Sequence, residues 1–298
     1  MFSCFCRVLI ALFTVNLSGF ADLQPSISIN ETKIYGNLHK NKEVEAFLGI
    51  PFAKPPLDDL RWKKPIAWSP LPKKEIDATS FKPACFQNQR IVIWYKRLIE
   101  DFGGDPNTFD VPKFSEDCLY LNLWRPKGIK KDLPVIVYIH GGSNKAGWSY
   151  EPNYLGHNIA RQDFILISIP YRLGIFGFFS HPEIESPNLA LFDQLIALEW
   201  IQKYVSFFGG DPSNITLIGE SAGAGGISHL IASPLSKNLF HKAIHQSGGS
   251  SFTYPTLRSQ AETLADQFSK SFEDPSIKNL RRISADKILE VSENVFAG

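Results

Sequence analysis

The stretch that decides the fold of this chain is Ile215-Thr216-Leu217-Ile218-Gly219-Glu220-Ser221-Ala222-Gly223. It begins as an apolar run typical of a strand and ends in a Gly-x-Ser-x-Gly turn, which the small residues of 224–232 follow. A serine held in so tight a turn between a strand and a helix needs glycine two positions away on either side, because larger side chains would clash. We therefore predict a strand, a sharp turn and a helix, with the hydroxyl of Ser221 projecting from the carboxyl edge of a sheet.

Apolar runs typical of strands recur along the chain, and segments with helical spacing separate them. The predicted strands, of which the last four would be buried on both faces, are 119–124, 135–139, 165–169, 215–218 and 243–245. Apolar residues at helical spacing predict helices over 188–204, 257–270 and 276–291. Upstream, 25–52 has the alternation of an antiparallel hairpin at a sheet edge, and 53–115 is rich in proline and turns. Strands that alternate with helices predict an α/β fold with a mostly parallel central sheet flanked by helices.

The composition excludes several classes of protein. Of the 298 residues, 44% are hydrophobic and 20% are charged, which suits a packed core and is too little charge for a disordered chain. The 31 basic residues nearly balance the 30 acidic residues, so the net charge of +1 gives no electrostatic footprint for nucleic acid. We also find no internal repeat.

Residues 1–21 have the character of a secretory signal peptide. The apolar run 8–15 is followed by Gly19 and Ala21, which stand at the −3 and −1 positions of a cleavage site. A membrane anchor is the alternative, but the run is too short to cross a bilayer. No later stretch reaches about 18 uninterrupted apolar residues. We therefore expect a secreted or lumenal protein without a membrane span, whose mature part is one domain over 22–298.

A secreted chain can form disulfides and carry N-linked glycans. Cys85 and Cys118 lie outside the signal peptide, and an even pair in a secreted chain argues for one disulfide, with two buried free thiols as the alternative. Asn30, in Asn-Glu-Thr, and Asn214, in Asn-Ile-Thr, are candidates for N-glycosylation. The first lies near the N-terminus, where we expect exposure. The second enters an apolar strand, which would close it sterically.

A second turn, His140-Gly141-Gly142-Ser143, directly follows the strand predicted at 135–139. Acyl transfer builds negative charge on a substrate's carbonyl oxygen, and a backbone N–H group aimed at that oxygen contributes about 3–4 kcal/mol in related sites. A Gly-Gly turn lets the backbone approach a substrate closely. Alone it is weak evidence, but it gains weight beside the Gly-x-Ser-x-Gly turn downstream. Together the two turns predict a serine nucleophile with an oxyanion hole.

These motifs, with several others, resemble the N-terminal part of type-B carboxylesterases, the family that includes the cholinesterases. The matching segments are Gly49–Pro56, Arg61-Trp62, Glu116–Asn122, His140–Gly142, Tyr171–Gly174, Phe176–Phe178, Asn188, Asp193-Gln194, Phe208–Pro212, Gly219–Gly223 and Gln246–Gly248. The most specific are Glu-Asp-Cys-Leu-Tyr-Leu-Asn at 116–122 and the turn around Ser221. The resemblance implies an α/β-hydrolase fold that stops after the half carrying the nucleophile. It also implies hydrolysis of small-molecule carboxylic esters through an acyl-enzyme, with no cofactor and no metal.

The resemblance further implies roles for individual residues. Ser221 would be the nucleophile, and Glu220 would line the site beside it. The N–H groups of Gly142, Ser143 and Ala222 would form the oxyanion hole, although many relatives have glycine at the position of Ser143. The pairs implied by the family are the disulfide Cys85–Cys118 and the ion pairs Arg61–Glu116 and Arg172–Asp193.

The catalytic partners of Ser221 are not evident in this sequence. An enzyme with such a turn orders its triad as serine, then Asp or Glu, then histidine. The histidines after Ser221 are His229, His241 and His245, and we expect packing or surface roles for all three. We therefore expect the triad acid and histidine beyond the end of this chain. The chain alone would then be inactive, because a serine without its base is a weak nucleophile.

Three interpretations stay open. The chain is a fragment or short isoform of a carboxylic ester hydrolase, or a non-catalytic secreted relative of the binding or adhesion type, or an inactive truncated isoform that is a structural or decoy secreted product without a ligand. Relatives of the second type generally lose the nucleophile serine, and Ser221 is present, so we prefer the first. The ester substrate and the oligomeric state do not follow from the sequence.

Overall fold

The computed structural model describes residues 24–40, 42–128, 130–248 and 256–296. The expected signal peptide and its cleavage site lie outside these residues. The strands are β1 (Ser26–Ile29), β2 (Thr32–Tyr35), β3 (Asn37–Leu38), β4 (Val44–Pro51), β5 (Glu75–Asp77), β6 (Ala84–Cys85), β7 (Phe114–Ser115), β8 (Tyr120–Pro126), β9 (Leu133–Ile139), β10 (Ile165–Ile169), β11 (Gly210–Glu220) and β12 (Lys242–Gln246). The α-helices are α1 (Arg90–Asp101), α2 (His157–Ala160), α3 (Gly174–Phe178), α4 (Leu189–Tyr204), α5 (Ala222–Ala232), α6 (Arg258–Ser269), α7 (Ile277–Leu280) and α8 (Ala285–Val295).

The main sheet has seven strands in the order β12-β11-β9-β10-β8-β4-β3. β9, β10, β11 and β12 are parallel to one another, whereas β8, β4 and β3 continue the sheet through antiparallel pairs. Helices flank the sheet, with α4 crossing from β10 to β11 and α5 crossing from β11 to β12. The predicted α/β fold is confirmed, in a mixed sheet whose described strands form three parallel and three antiparallel pairs, and the parallel part carries the two glycine turns.

The register of the parallel strands brings those two turns together. Ile139, the last residue of β9, pairs with Ile169 of β10 on one side and with Gly219 of β11 on the other. Because the carboxyl ends of parallel strands meet at one edge, the turn that begins at His140 lies beside the turn that contains Ser221.

α4 and α5 hold the middle of the sheet in place. α4 is apolar around most of its circumference and buries residues such as Leu198 and Ile201 in the core. α5 begins with small residues, and these let it approach the sheet closely. A Cβ built on Gly223 would lie 2.1 Å from the carbonyl oxygen of Ile139. No larger residue fits there without moving the helix off β9.

Three expectations about individual elements were wrong. The segment 25–52 divides between two sheets, because β1 and β2 form a hairpin that pairs with β5, while β3 and β4 join the main sheet. β12 is not buried, because it is the outermost strand of the main sheet and all five of its residues are exposed. The helix expected over 276–291 is two helices, and Ser284 starts the second by accepting a hydrogen bond from the Lys287 N–H at 3.3 Å.

Long-range polar links tie the N-terminal part to the rest of the chain. Cys85 and Cys118 form a disulfide. The guanidinium of Arg61 donates to Glu116 at 2.7 Å and to the carbonyl oxygen of Ile283 at 2.6 Å, so it joins the disulfide region to the segment between α7 and α8. Both ion pairs implied by the resemblance are present; their side chains are almost fully buried. Among the residues described, no helix is both long enough and apolar enough to cross a membrane.

Candidate active site

Ser221 lies in a strained turn between β11 and α5. Its φ is 50° and its ψ is −118°, values that non-glycine residues adopt only where the surrounding structure enforces them. Here the enforcing contacts are close on both sides. A Cβ on Gly219 would lie 2.6 Å from the Gly223 carbonyl carbon, and the Ser221 N–H donates to the Gln246 carbonyl oxygen at 2.8 Å. The predicted strand, turn and helix are therefore present around Ser221.

The glycine turn after β9 lies against this serine. A Cβ built on Gly141 would be 3.2 Å from the Cβ of Ser221 and 2.6 Å from a carboxylate oxygen of Glu220. Glycine at position 141 is what allows the two turns to meet. The structure thus brings Ser221, Glu220 and the Gly141-Gly142 turn to the same edge of the sheet.

The turn itself follows a left-handed path over three residues. Gly142 has a φ of 102°, and Ser143 and Asn144 have φ values of 57° and 59°. The Gly142 carbonyl oxygen accepts the N–H groups of Lys145 and Ala146 at 3.1 and 3.0 Å, which closes the turn. Ser143 is exposed and carries its Cβ in a conformation that favours glycine.

Three backbone N–H groups at this point have no acceptor in the described part of the chain. They belong to Gly142, Ser143 and Ala222, and the last of these opens α5, where the first N–H groups of a helix have no partner within the helix. A cluster of free backbone N–H groups beside a serine suits binding of an anionic oxygen.

The side chain of His140 is buried, neutral and packed against the Gly141-Gly142 turn. It is 1% exposed, its ring stacks on Tyr171 with centroids 4.5 Å apart, and its Nδ1 lies 2.9 Å from the Gly141 carbonyl oxygen. Burial lowers the pKa of His140 to about 4. The Tyr171 hydroxyl donates to the His140 carbonyl oxygen at 2.8 Å, so side chain and main chain of His140 are both held.

All three histidines that follow Ser221 are exposed. His229 is exposed on α5. The Nδ1 of His241 accepts the Ile215 N–H at 3.2 Å, and the Nδ1 of His245 lies 3.5 Å from the hydroxyl of Ser228. These contacts agree with the expected packing and surface roles.

The other sequence candidates lie away from this edge. Asn30 is exposed in the tight turn between β1 and β2. Asn214 lies within β11, and its side-chain oxygen accepts from Lys242 at 2.7 Å. In the residues described, no group of three or more histidine, cysteine, aspartate or glutamate side chains is placed to hold a metal ion.

Sequence reasoning missed three buried polar side chains next to the glycine turn. They are Gln87, Tyr95 and Glu151, which hydrogen-bond to the turn's continuation or to one another. Gln87 follows Cys85 by two positions, but a lone glutamine or glutamate carries no motif. Only the folded chain shows what these residues contact.

Comparison with known proteins agrees with this geometry. The model of the carboxylesterase family matches residues 23–298. Fumonisin B1 esterase from Sphingopyxis macrogoltabida is 37% identical over 264 residues, which are 85% of this chain and 44% of that enzyme. Carboxylesterase 1C from Mus musculus is 40% identical over 237 residues, 77% of this chain and 42% of that protein.

Solved structures show the same extent of similarity. A thermophilic PNB esterase superposes with a TM-score of 0.80 at 34% identity, over 92% of this chain and 54% of the other. The chain therefore spans about half the length of the relatives that it matches.

Proposed function

This chain belongs to the carboxylesterase family, and from that premise we propose that it carries the nucleophile half of a carboxylic ester hydrolase. The relatives that it matches are carboxylic ester hydrolases, so small-molecule esters are the substrate class. The observation that carries the proposal is the meeting of Ser221, in its strained turn, with the free N–H groups of the Gly142 turn. This arrangement supports acyl transfer.

The proposed mechanism begins with attack of the Ser221 hydroxyl oxygen on the ester carbonyl carbon. The carbonyl oxygen gains the negative charge of a tetrahedral intermediate, and the N–H groups of Gly142, Ser143 and Ala222 stabilise it. Collapse of the intermediate expels the alcohol and leaves an acyl-Ser221 ester, which water hydrolyses in the second half of the reaction.

The general base is proposed to be a histidine beyond residue 298, oriented by an acid that is also beyond that residue. The order of this type of triad requires both to follow Ser221. Glu220 lines the site next to the serine. A non-catalytic relative is the weaker alternative, because relatives of that type generally lose the nucleophile serine, and Ser221 is present.

The test is covalent labelling and turnover in the full-length protein. A fluorophosphonate probe should label Ser221, and p-nitrophenyl acetate should be hydrolysed. The Ser221→Ala variant should lose both. Full turnover in that variant would refute the proposal.

Secretion and its consequences are part of the same proposal. We expect the signal peptide to be removed after Ala21, Cys85 and Cys118 to be recovered as a linked pair, and Asn30 rather than Asn214 to carry a glycan. Exposure supports the choice of Asn30, because Asn214 is half-buried within β11 and its side-chain oxygen is bonded to Lys242. N-terminal sequencing and non-reducing peptide mapping of the secreted protein, with enzymatic deglycosylation in oxygen-18-labelled water, test the three points.

A further inference from the structure

The side chain of Gln87 is clamped to the main chain of Gly147. Its amide nitrogen donates to the Gly147 carbonyl oxygen at 2.7 Å, and its amide oxygen accepts the Gly147 N–H at 2.7 Å. The same nitrogen donates to the Cys85 carbonyl oxygen at 3.0 Å. Gln87 is 4% exposed, so these three bonds form in a buried setting, where a lost partner is costly. The two bonds to Gly147 have the donor and acceptor pattern of paired β-strands, with the amide of Gln87 in place of the main chain of a second strand.

Gly147 in turn packs directly on the turn that carries the free N–H groups. It has a φ of 106°, and a Cβ built on it would lie 2.8 Å from the Gly141 carbonyl oxygen and 2.7 Å from Nδ1 of His140. Its neighbour Ala146 donates its N–H to the Gly142 carbonyl oxygen at 3.0 Å. A displacement of Gly147 therefore moves the backbone at 141 and 142.

A second link holds the next residue along the chain. The Trp148 N–H donates to a carboxylate oxygen of Glu151 at 3.1 Å, and the Tyr95 hydroxyl donates to the other oxygen at 2.7 Å. Tyr95 and Glu151 are both buried. Tyr95 is on α1, and both α1 and Gln87 belong to the loop that the Cys85–Cys118 disulfide closes.

We infer that Gln87 is a positioning residue for the oxyanion hole, and that the loop 85–118, which the disulfide closes, holds Gln87 in place. The inference rests on the ester hydrolysis proposed above. Gln87 acts through Gly147 and does not touch the substrate. A residue that only filled space at this point would need no amide, whereas Gln87 uses both of its amide ends on the backbone that leads to Gly142.

The test compares Gln87→Met with Gln202→Met in the full-length protein. Gln202 is a matched control, because its amide nitrogen also bonds two carbonyl oxygens, those of Pro212 at 2.9 Å and Leu239 at 3.2 Å, away from the site. Removing one oxyanion donor outright costs roughly 100- to 1,000-fold in kcat. Misplacing donors costs less, so for Gln87→Met we expect kcat to fall about 10- to 100-fold with KM within about twofold. Gln202→Met should keep the kcat of the parent protein.

Gln87→Glu supplies a conservative rescue that a purely structural role would not predict. Its carboxylate still accepts the Gly147 N–H but cannot donate to the Gly147 carbonyl oxygen. When protonated, the carboxyl donates again. The ratio of its kcat to that of the parent protein should therefore rise as pH falls, and should stay low at neutral pH.

The outcomes distinguish a failure of the role of Gln87 from a failure of the ester hydrolase proposal. Equal kcat losses in Gln87→Met and Gln202→Met, or a change in KM alone, overturn the role of Gln87 while Ser221→Ala still abolishes turnover. If Gln87→Met does not fold, a flat pH ratio for Gln87→Glu overturns it instead. If Ser221→Ala retains turnover, the ester hydrolase proposal itself fails.

Discussion

Ser143 lies in the turn proposed to form the oxyanion hole, at a position where the family resemblance implies glycine. Its φ of 57° is a conformation that glycine adopts without strain. The backbone N–H is the group that the proposed mechanism uses, and any residue except proline keeps it.

We therefore predict opposite results for two substitutions of Ser143. Ser143→Gly keeps the N–H and relieves the strain, so kcat on p-nitrophenyl acetate should stay within about twofold of the parent value. Ser143→Pro removes the donor and cannot adopt a positive φ, so kcat should fall at least about 100-fold. Thermal unfolding of both variants separates this loss from misfolding. Unimpaired turnover in a folded Ser143→Pro variant would contradict the role of the N–H.

The buried imidazole of His140 should make the stability of the folded protein depend on pH. Burial lowers its pKa to about 4, against about 6.5 in an unfolded chain. Between these values the unfolded chain binds a proton that the folded chain does not. Stability should therefore fall as pH drops from 6.5 towards 4, by up to about 1.4 kcal/mol per pH unit from this group.

Urea unfolding between pH 4.5 and 7 of the parent protein and His140→Phe measures this effect. The phenyl ring keeps the stack on Tyr171 but does not titrate, so the variant's free energy of unfolding should depend less steeply on pH. Burial raises the pKa of Glu151, which acts in the opposite sense. Both proteins contain Glu151, so the difference between them isolates His140. Identical slopes would show that His140 is not held neutral.

At the scale of elements, the approach of α5 to the sheet decides where Ser221 lies. Gly223 faces backbone, since a Cβ there would lie 2.1 Å from the carbonyl oxygen of Ile139. Gly226, one turn later on the same helix, faces a side chain, and a Cβ there would lie 2.8 Å from the amide oxygen of Gln194. A side chain can rotate away, whereas the backbone of β9 cannot.

Gly223→Ala and Gly226→Ala are therefore a matched pair. Gly223→Ala should lower the free energy of unfolding by about 3 kcal/mol or more, because α5 must move off the sheet. Gly226→Ala should cost less than about 1 kcal/mol, because alanine's higher helix propensity offsets the adjustment of Gln194. Chemical unfolding of both variants gives the comparison. Similar losses would mean that the close approach at Gly223 does not limit the helix.

At the scale of the whole molecule, the side of the sheet beyond β12 is open in the described part of the chain. All five residues of β12 are exposed, and Ile231, Leu235 and Ile244 nearby are 55%, 61% and 46% exposed. An exposed strand edge beside apolar side chains is a template for association.

We predict that residues 22–298 expressed alone are poorly soluble and nearly inactive on p-nitrophenyl acetate. Aggregation follows from the open edge, and inactivity follows from the proposal that the base of Ser221 lies beyond residue 298. Size-exclusion chromatography and Ser221-dependent turnover, both compared with the full-length protein, check the two parts. A monodisperse, active 22–298 chain would refute this and would direct attention to His229, His241 and His245 as the base.

The two glycine turns of the candidate active site and the buried parallel strands could be predicted from the sequence alone. The glycines around Ser221 and after His140 are required by local backbone geometry, which depends on neighbours in the chain and is therefore visible in a motif. Buried parallel strands are equally visible, because residues covered on both faces are continuously apolar, as in β9 and β10.

The exposure of β12 and the contacts that hold the Gly142 turn could not be predicted from the sequence. An outermost strand and a central strand can have the same apolar pattern, since the pattern does not record how many neighbours a strand has. The clamp of Gln87 on Gly147 joins residues 60 positions apart through single polar atoms. Such a contact has no periodicity and no motif, so it exists only once the disulfide loop and the turn after β9 have folded against each other.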